Sequence, residues 1–222
     1  MSRSLAPRLL AIVLSLSLCT LPSLAQQQQQ PDPTWSQEDM IRIVKAVQKK
    51  LGSLTNYSVF DWITFGVHGK TLVLKGFASR PTLKSDAERA VKGIEGIQKV
   101  ENEIQVLPLS NFDDRIRAEV YSRIYTQPAL RKYNANQGNI AQAMGPGGRS
   151  SAMMAGGITN NPPIGYHAIH IIVNKGRVTL YGVVLNQSDA TIAYIQANGT
   201  PGVFGVDNEL VVEGSKPGQA PE

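Results

Sequence analysis

An internal repeat constrains the fold of this chain more than any other feature of its sequence. When the sequence is compared with itself at the shift that places Leu74 on Leu180, nine positions between residues 74 and 106 are identical without a gap. They are Leu74, Gly76, Ala87, Gly93, Gly96, Val100, Asn102, Glu103 and Val106 in the first segment, and Leu180, Gly182, Ala193, Gly199, Gly202, Val206, Asn208, Glu209 and Val212 in the second. Self-similarity at a fixed spacing indicates one structural unit that occurs twice.

The first copy predicts the order helix, strand, strand, helix, strand. Ser36 and Asp39 form a capping box, and apolar residues follow them at helical spacing. Two strand-like segments, 59–67 and 71–75, then flank a turn that contains Gly69. A second helix with an apolar stripe is predicted at 83–94, and a final strand at 100–107 with Val100, Asn102, Ile104 and Val106 on one face.

The second copy predicts the same order of elements. Asn111 and Asp114 indicate the cap of its first helix, and Asn186 with Asp189 indicates the cap of its second. Its strands are predicted at 168–173, 178–181 and 204–212. An insertion at about 131–163, rich in glycine, proline and methionine, shows no periodicity and predicts a loop.

The fold class that follows is α+β, with two tandem units that each have the order αββαβ. The first copy is expected to span 36–108 and the second 111–214. The length of 222 residues accommodates two small domains, because a domain usually takes about 100–200 residues.

The two ends of the chain lie outside the repeat. Arg3 and Arg8 precede an apolar run at 9–18 that is too short to cross a bilayer, and small residues precede a cleavage position after Ala25. Residues 1–25 therefore predict a signal peptide and a periplasmic or secreted protein. A lipoprotein modified at Cys19 is the competing interpretation, although the leucine before that cysteine fits poorly. Residues 26–35 predict a Gln/Pro-rich linker, and 215–222 a disordered tail.

Two short motifs occur in both copies. Leu74-Lys75-Gly76 recurs as Leu180-Tyr181-Gly182, and the run from Gly96 through Val100 and Asn102 to Ile104 recurs from Gly202 through Val206 and Asn208 to Leu210. These motifs resemble the BON domain, a family named for bacterial OsmY and nodulation proteins, over about 36–108 and 111–213. The resemblance implies two tandem small α/β sandwiches, each with two helices packed on a three-stranded mixed sheet, as in dual-domain periplasmic members. It also implies a non-catalytic envelope protein that associates with phospholipid membranes or envelope complexes.

The motif glycines are predicted to be structural. Glycine after a helix relieves the steric cost of a positive φ, which is the role expected at Gly93 and Gly96. Asn102 and Asn208, inside apolar strands, are expected to hydrogen-bond a loop or a neighbouring strand. The six glycines predicted to be structural are Gly76, Gly93, Gly96, Gly182, Gly199 and Gly202.

The sequence offers no constellation of catalytic or metal-binding residues. One cysteine and three histidines leave no cysteine-based zinc site. His167 and His170 lie on a predicted strand, where their odd spacing points the side chains to opposite faces. No nucleophile elbow or phosphate-binding loop occurs. We therefore expect no catalytic residue, no metal, no cofactor and no small-molecule substrate. The net charge of +5 comes without basic stretches interleaved with aromatics, so no nucleic-acid partner is expected.

The first helix of the second copy carries the strongest functional signal. Ile116, Val120 and Ile124 form its core stripe, and a rotation of about 100° per residue places tyrosines and an arginine on the adjoining stripe. Cations beside tyrosines suit a lipid headgroup interface. A solvated helix whose tyrosines complete the core is the alternative. The predicted lipid contacts are Arg115, Arg117, Tyr121, Arg123, Tyr125, Arg131 and Lys132.

From these patterns we expect a non-catalytic exported envelope protein that associates peripherally with anionic phospholipid membranes. Such a protein would support envelope integrity or stress tolerance. The alternative is a protein-binding adaptor within a cell-envelope complex, in which the domains present strands or the insertion loop to a partner.

Overall fold

The computed structural model describes residues 35–133 and 167–215. The predicted order of elements is confirmed in both copies, and the fold is α+β. The first copy contains α1 (Gln37–Gly52), β1 (Trp62–His68), β2 (Thr71–Ala78), α2 (Pro81–Lys92), β3 (Lys99–Asn102) and β4 (Gln105–Val106). The second copy contains α3 (Asn111–Thr126), a 3-10 turn (Arg131–Tyr133), β5 (Ile169–Asn174), β6 (Arg177–Val184), α4 (Gln187–Asn198) and β7 (Gly205–Val212).

Each copy forms a mixed sheet in which the first strand lies at one edge and the chain that follows the second helix lies at the other. β1 pairs antiparallel with β2, and β2 pairs parallel with β3 and β4. β5, β6 and β7 repeat this arrangement, antiparallel and then parallel. The register also repeats, since Leu72 lies opposite Val100 and Val178 lies opposite Val206. The parallel pairs require the crossover helices α2 and α4.

The helix caps agree with the sequence at two of three predicted positions. The Ser36 side chain accepts a hydrogen bond from the Asp39 N–H, and Asn186 does the same for Asp189. The cap of α3 was placed one residue too late, because Ser110 rather than Asn111 accepts from the Asp113 N–H. A serine hydroxyl at this position satisfies one of the N–H groups that the first turn leaves unpaired.

The middle strands run further than the sequence predicted. β2 continues to Ala78 and β6 to Val184, because Gly76 and Gly182 lie within them rather than ending them. Their φ angles are +113° and +132°, and a Cβ at either position would lie 2.0 or 1.9 Å from a carbonyl oxygen of the neighbouring chain segment. Only glycine permits so close a backbone approach.

The other motif glycines divide into two kinds. Gly96 has the positive φ that was predicted after the helix, +97°, and its counterpart Gly202 has a φ of +87°. For Gly93 that prediction is wrong, because Gly93 ends its helix with a φ of −89°, as its counterpart Gly199 does with −78°.

The final strand of the first copy departs from its predicted alternation. It is interrupted at residues 103–104, which divides it into β3 and β4. Beyond the interruption Leu107 is buried and Val106 is 38% exposed, so Val106 does not lie on the face that it was predicted to share with the buried Ile104. A break of this kind shifts which residues face the core, because side chains alternate along a strand.

The predicted first strand begins later than expected. Residues 58–61, here called the bridging segment, form a turn ahead of β1. Asp61 holds this turn, since its buried carboxylate accepts from the Ser58 N–H at 2.9 Å and from the Ser79 N–H at 2.6 Å. Val59 and Phe60 are thereby directed away from the first core.

Each copy has its own hydrophobic core, but the bridging segment belongs to the second. Val59 and Phe60 pack with α3 and the β5–β7 sheet. The Ile171 N–H donates to the Val59 carbonyl at 2.8 Å. The outer faces of the two sheets also meet, where Trp62 stacks on Tyr181 with ring centroids 5.4 Å apart. The two copies are therefore joined by core packing and not only by residues 108–110.

Several predicted segments lie outside the described residues. They are the signal peptide with Cys19, most of the Gln/Pro-rich linker, most of the insertion and most of the tail. Trp35, assigned by sequence to the end of the linker, packs in the first core and donates to the Gly96 carbonyl at 2.7 Å. None of the described helices combines the length and apolar character needed to cross a membrane.

Candidate functional site

The predicted stripe on α3 is largely an interior surface. Arg117, Tyr121 and Tyr125 are each no more than 2% exposed, so the prediction that they lie on the surface is wrong. The bridging segment is the physical reason. Phe60 approaches Tyr121 edge-on with centroids 6.2 Å apart, and the first copy thus covers the side of α3 next to its core stripe. The tyrosines complete the core, as the alternative interpretation expected.

Arg117 is held inside the protein by polar groups. Its guanidinium donates to the Val173 carbonyl at 2.7 Å and pairs with Asp114 on the preceding turn. A buried guanidinium is tolerated only when such partners replace water. The side chain therefore ties α3 to the end of β5 and has no access to a lipid surface.

The four other predicted cations lie at the surface, and two of them form ion pairs with acidic side chains. Arg115 and Arg131 are exposed. Arg123 pairs with Glu119 one turn earlier on α3. Lys132 pairs with Asp189 at 2.7 Å, and this hydrogen bond raises the pKa of the Lys132 ammonium. Of the seven predicted contacts, Arg115 and Arg131 are thus the two cations best placed to meet an external anion.

The structure shows an aromatic surface that the sequence did not reveal. Phe112 at the start of α3 and Phe204 ahead of β7 stack with centroids 5.7 Å apart. Phe204 is 73% exposed and Phe112 is 38% exposed. In the sequence they are 92 positions apart, counted from 112 to 204, and neither belongs to a periodic stripe. The only available signal was that each is a large apolar residue at the end of a predicted element.

Two glycines leave the space in which this ring pair packs against the second copy. A Cβ at Gly176 would lie 2.6 Å from Phe204 and 3.2 Å from Phe112, and a Cβ at Gly202 would lie 3.4 Å from Phe112. The Phe204 N–H also donates to the Gly176 carbonyl at 2.9 Å. The β5–β6 turn and the loop before β7 therefore form a fixed platform beneath the rings.

Cations surround the ring pair. Lys175 is exposed next to Gly176, and Arg115 is exposed one turn along α3 from Phe112. Arg177 is exposed as well, but one of its guanidinium nitrogens donates to both carboxylate oxygens of Asp207. We call Phe112, Arg115, Lys175 and Phe204 the aromatic–cationic surface. Its chemistry combines apolar contact with positive charge, and it holds no arrangement of nucleophile and base.

The two histidines of the second copy are structural. His167 is 2% exposed and His170 is 6% exposed. Burial, together with the charge of His167, lowers the pKa of His170 to about 4, so His170 is neutral at physiological pH. Tyr57 and Trp62 of the first copy pack against its ring. Among the described residues, no three histidine, cysteine, aspartate or glutamate side chains form a group that could hold a metal.

Asn102 and Asn208 are hydrogen-bonded as expected, but their partner is a helix carbonyl and not the loop or neighbouring strand that was predicted. Asn102 donates to the Lys84 carbonyl of α2 at 2.9 Å, and Asn208 donates to the Ala190 carbonyl of α4 at 3.3 Å. Each side-chain carbonyl also accepts an N–H from its own chain two residues on. The repeated asparagine therefore fastens the crossover helix to the last strand in both copies.

These features define a class of protein made of two αββαβ sandwiches that pack together through the bridging segment. The family model of the BON domain matches the chain over residues 63–108 and 156–214, one segment in each copy. This match confirms the resemblance drawn from the glycine and asparagine motifs.

Other comparisons add little. No curated protein matches the chain. A structure of CdsD, a structural protein of the type III secretion system of Chlamydia trachomatis, is 12% identical with a TM-score of 0.23, covering 77% of this chain and 92% of that chain. A structure of the CdsD C-terminal domain is 15% identical with a TM-score of 0.23, covering 80% and 99%. TM-scores this low carry no functional inference.

Proposed function

We propose that this is a non-catalytic envelope protein that docks peripherally on anionic phospholipid membranes through the aromatic–cationic surface. The observation that carries the proposal is the exposed stacked pair of Phe112 and Phe204 with Arg115 and Lys175 beside it. The BON family match supports the envelope setting and the lipid partner. Export through the signal peptide, and a role in envelope integrity or stress tolerance, rest on the sequence and the family alone.

The expected binding energies favour reversible attachment of the protein to the membrane. A lysine or arginine near an anionic membrane contributes about 1 kcal/mol, and this attraction decays within a Debye length of about 8–10 Å. The stacked rings add apolar area, at roughly 25 cal/mol for each Å² removed from water. Two exposed cations and two partly exposed rings therefore support binding that depends on salt and on lipid charge.

Vesicle co-sedimentation tests the proposal. The protein should bind vesicles of phosphatidylglycerol with phosphatidylcholine and should not bind phosphatidylcholine alone. Changing Arg115 and Lys175 to glutamine should weaken binding about 30-fold, since two contributions of about 1 kcal/mol are lost. The matched control changes Lys45 and Lys49, which are exposed on α1, to glutamine. Equal weakening in both double variants would mean that net charge alone attracts the protein.

The rings require a separate test. Phe204→Ser should weaken binding about tenfold while the thermal midpoint stays within a few degrees, because the side chain is mostly exposed. Tyr194→Ser, at a partly exposed aromatic on α4, is the control and should leave binding unchanged. No binding of the native protein at low salt would contradict lipid docking and favour the protein-binding adaptor.

A further inference from the structure

The turn between β5 and β6 contains a lysine in a conformation that lysine rarely adopts. Lys175 has a φ of +52°, in the left-handed region, and is the one residue other than glycine with a positive φ in the part of the chain that the structure describes. A side chain crowds its own backbone in this region, so glycine, asparagine and aspartate are the usual occupants. Gly176 follows with a φ of +78°, which makes a two-residue hairpin turn of the kind that prefers Asn-Gly.

The same hairpin in the first copy avoids this strain. Gly69 occupies the position of Lys175 in the repeat, with a φ of +57°, and the lysine that follows it, Lys70, lies outside the left-handed region. Both turns join a pair of antiparallel strands through two residues. The fold therefore accepts glycine at this position, and the lysine of the second copy needs a reason other than the turn itself.

Buried contacts hold the strained turn in place. Asp113 is 1% exposed, and its carboxylate accepts the N–H groups of Lys175 and Gly176 at 2.9 and 2.8 Å. Gly176 in turn packs beneath the stacked rings of Phe112 and Phe204. The exposed side chain of Lys175 therefore leaves the protein at a fixed point next to the residue on which the rings pack.

The donors that could recognise a phosphate by its shape are already used. Both N–H groups of the turn bind Asp113, and the Phe204 N–H donates to the Gly176 carbonyl. Arg177 is engaged with Asp207. The turn thus has no N–H with which to surround an anion, as backbone phosphate sites do. Recognition falls to exposed side chains, and a lysine ammonium is a compact point charge without the fixed fork of arginine.

We infer that Lys175 sets the lipid selectivity of the aromatic–cationic surface by recognising the negative charge of a membrane and not the structure of its headgroups. The inference rests on the proposed function. Strained residues persist where surrounding contacts enforce them, and they cluster at functional sites. The second copy accepts a left-handed lysine because this turn places a cation beside the apolar rings.

The variant Lys175→Asn separates stability from binding. Asparagine suits the left-handed position, so the thermal midpoint should rise by about 2–4 °C. Co-sedimentation with vesicles of phosphatidylglycerol and phosphatidylcholine should show about fivefold weaker binding, because one cation is lost. A lysine with only a structural role would change the midpoint and leave the affinity unchanged.

Two further variants serve as controls. Lys175→Arg keeps both the charge and the strain, and should leave the midpoint and the affinity close to the native values. Lys70→Asn makes the same substitution in the hairpin of the first copy, where the lysine is not left-handed. It should neither raise the midpoint nor weaken binding.

A headgroup comparison tests the selectivity. Phosphatidylglycerol and phosphatidylserine each carry one net negative charge, so at equal mole fraction the native protein should bind both within about twofold. A larger preference for either lipid would overturn the inference, as would a midpoint or an affinity that Lys175→Asn leaves unchanged. A native protein that bound neither vesicle would contradict the proposed function itself, and the inference with it.

Discussion

The two copies share their elements and their register, yet they differ in what covers their first helix and first strand. In the second copy the bridging segment packs on α3 and β5, so that Tyr121, Tyr125 and Ile171 are buried. In the first copy nothing described lies at that position, and Phe65 is half-buried. The repeated sequence therefore determines the elements of each copy, whereas contacts between the copies determine which faces meet solvent.

The interiors differ in polarity as well. Arg117 and Asp113 are buried in the second copy. When the two N-cap serines are aligned, their counterparts in the first copy are Ile43, which is an ordinary core residue, and Asp39, which lies at the surface. The second copy thus depends on specific polar contacts in addition to apolar packing, and its stability should respond more strongly to single polar substitutions.

Truncating Phe60 of the bridging segment should have the largest effect on stability. Phe60→Ala should lower the free energy of unfolding by about 3–5 kcal/mol, the usual cost of truncating a buried phenylalanine. The loss should appear in the second copy, although residue 60 precedes the first strand of the first copy. Hydrogen exchange would then show faster exchange in β5 and α3 than in β2 and α2. Loss of protection confined to β2 and α2 would contradict the assignment of Phe60 to the second core.

Acid should weaken the packing between the two copies by protonating His170, whose ring contacts Tyr57 and Trp62 of the first copy. Burial lowers the pKa of this imidazole to about 4 from an ordinary value near 6.5. The unfolded chain therefore binds a proton more readily, so the stabilisation is complete above pH 6.5 and is lost as the pH falls from 6.5 to 4. A shift of this size corresponds to about 3 kcal/mol.

The variant His170→Thr isolates this contribution, because threonine stands at the counterpart position, Thr64. Urea unfolding at a series of pH values should show a steeper decline between pH 6.5 and 4.5 in the native protein than in the variant. Parallel curves would show that His170 does not titrate in this window. Carboxylates titrate in both proteins and cancel in the difference.

The motif glycines offer a test in which the copies should behave alike. Gly76→Ala and Gly182→Ala each place a methyl group about 2 Å from a carbonyl oxygen at a positive φ. Each should lower stability by about 2–3 kcal/mol, in the range expected for a strained backbone conformation. Gly66→Ala is the matched control, since φ there is not positive and a Cβ would meet nothing within 4 Å. If only one of the two strand glycines proved sensitive, the structural equivalence of the motifs would be wrong.

Most of the fold could be predicted because its signals are local. Capping residues, apolar periodicity and repeated glycines gave the element order and the turns at Gly69 and Gly176. Errors arose where glycine has two roles. Gly76 and Gly182 were taken as strand ends because glycine often punctuates a chain, whereas here each permits a close backbone approach within a strand.

The candidate site was less predictable because its determinants are contacts between distant residues. The periodicity of α3 correctly identified Ile116, Val120 and Ile124 as core residues. It could not reveal that Phe60, from the other copy, covers the adjoining stripe. Likewise, Phe112 and Phe204 become one surface only when the loop before β7 is placed beside the start of α3. Only Arg115 of the predicted lipid contacts falls on the surface proposed here.

The smallest expected effect concerns the aspartates after the two N-caps. Asp113 is buried, and its carboxylate accepts the N–H groups of Lys175 and Gly176 at 2.9 and 2.8 Å, which fixes the β5–β6 turn beneath the aromatic rings. Asp39, its counterpart, instead pairs with Arg42 at the surface. Asp113→Ala should therefore lower the free energy of unfolding by about 1–2 kcal/mol, because one buried and one part-buried backbone donor lose their acceptor. Asp39→Ala removes an exposed ion pair and the exposed hydrogen bond that the Ser36 hydroxyl donates to its carboxylate, so it should lower stability less than Asp113→Ala. Chemical denaturation of both variants measures the difference, and lipid binding should weaken in Asp113→Ala alone, since only that substitution loosens the turn that carries Lys175. Equal responses in the two variants would show that the second copy does not rely on this polar contact.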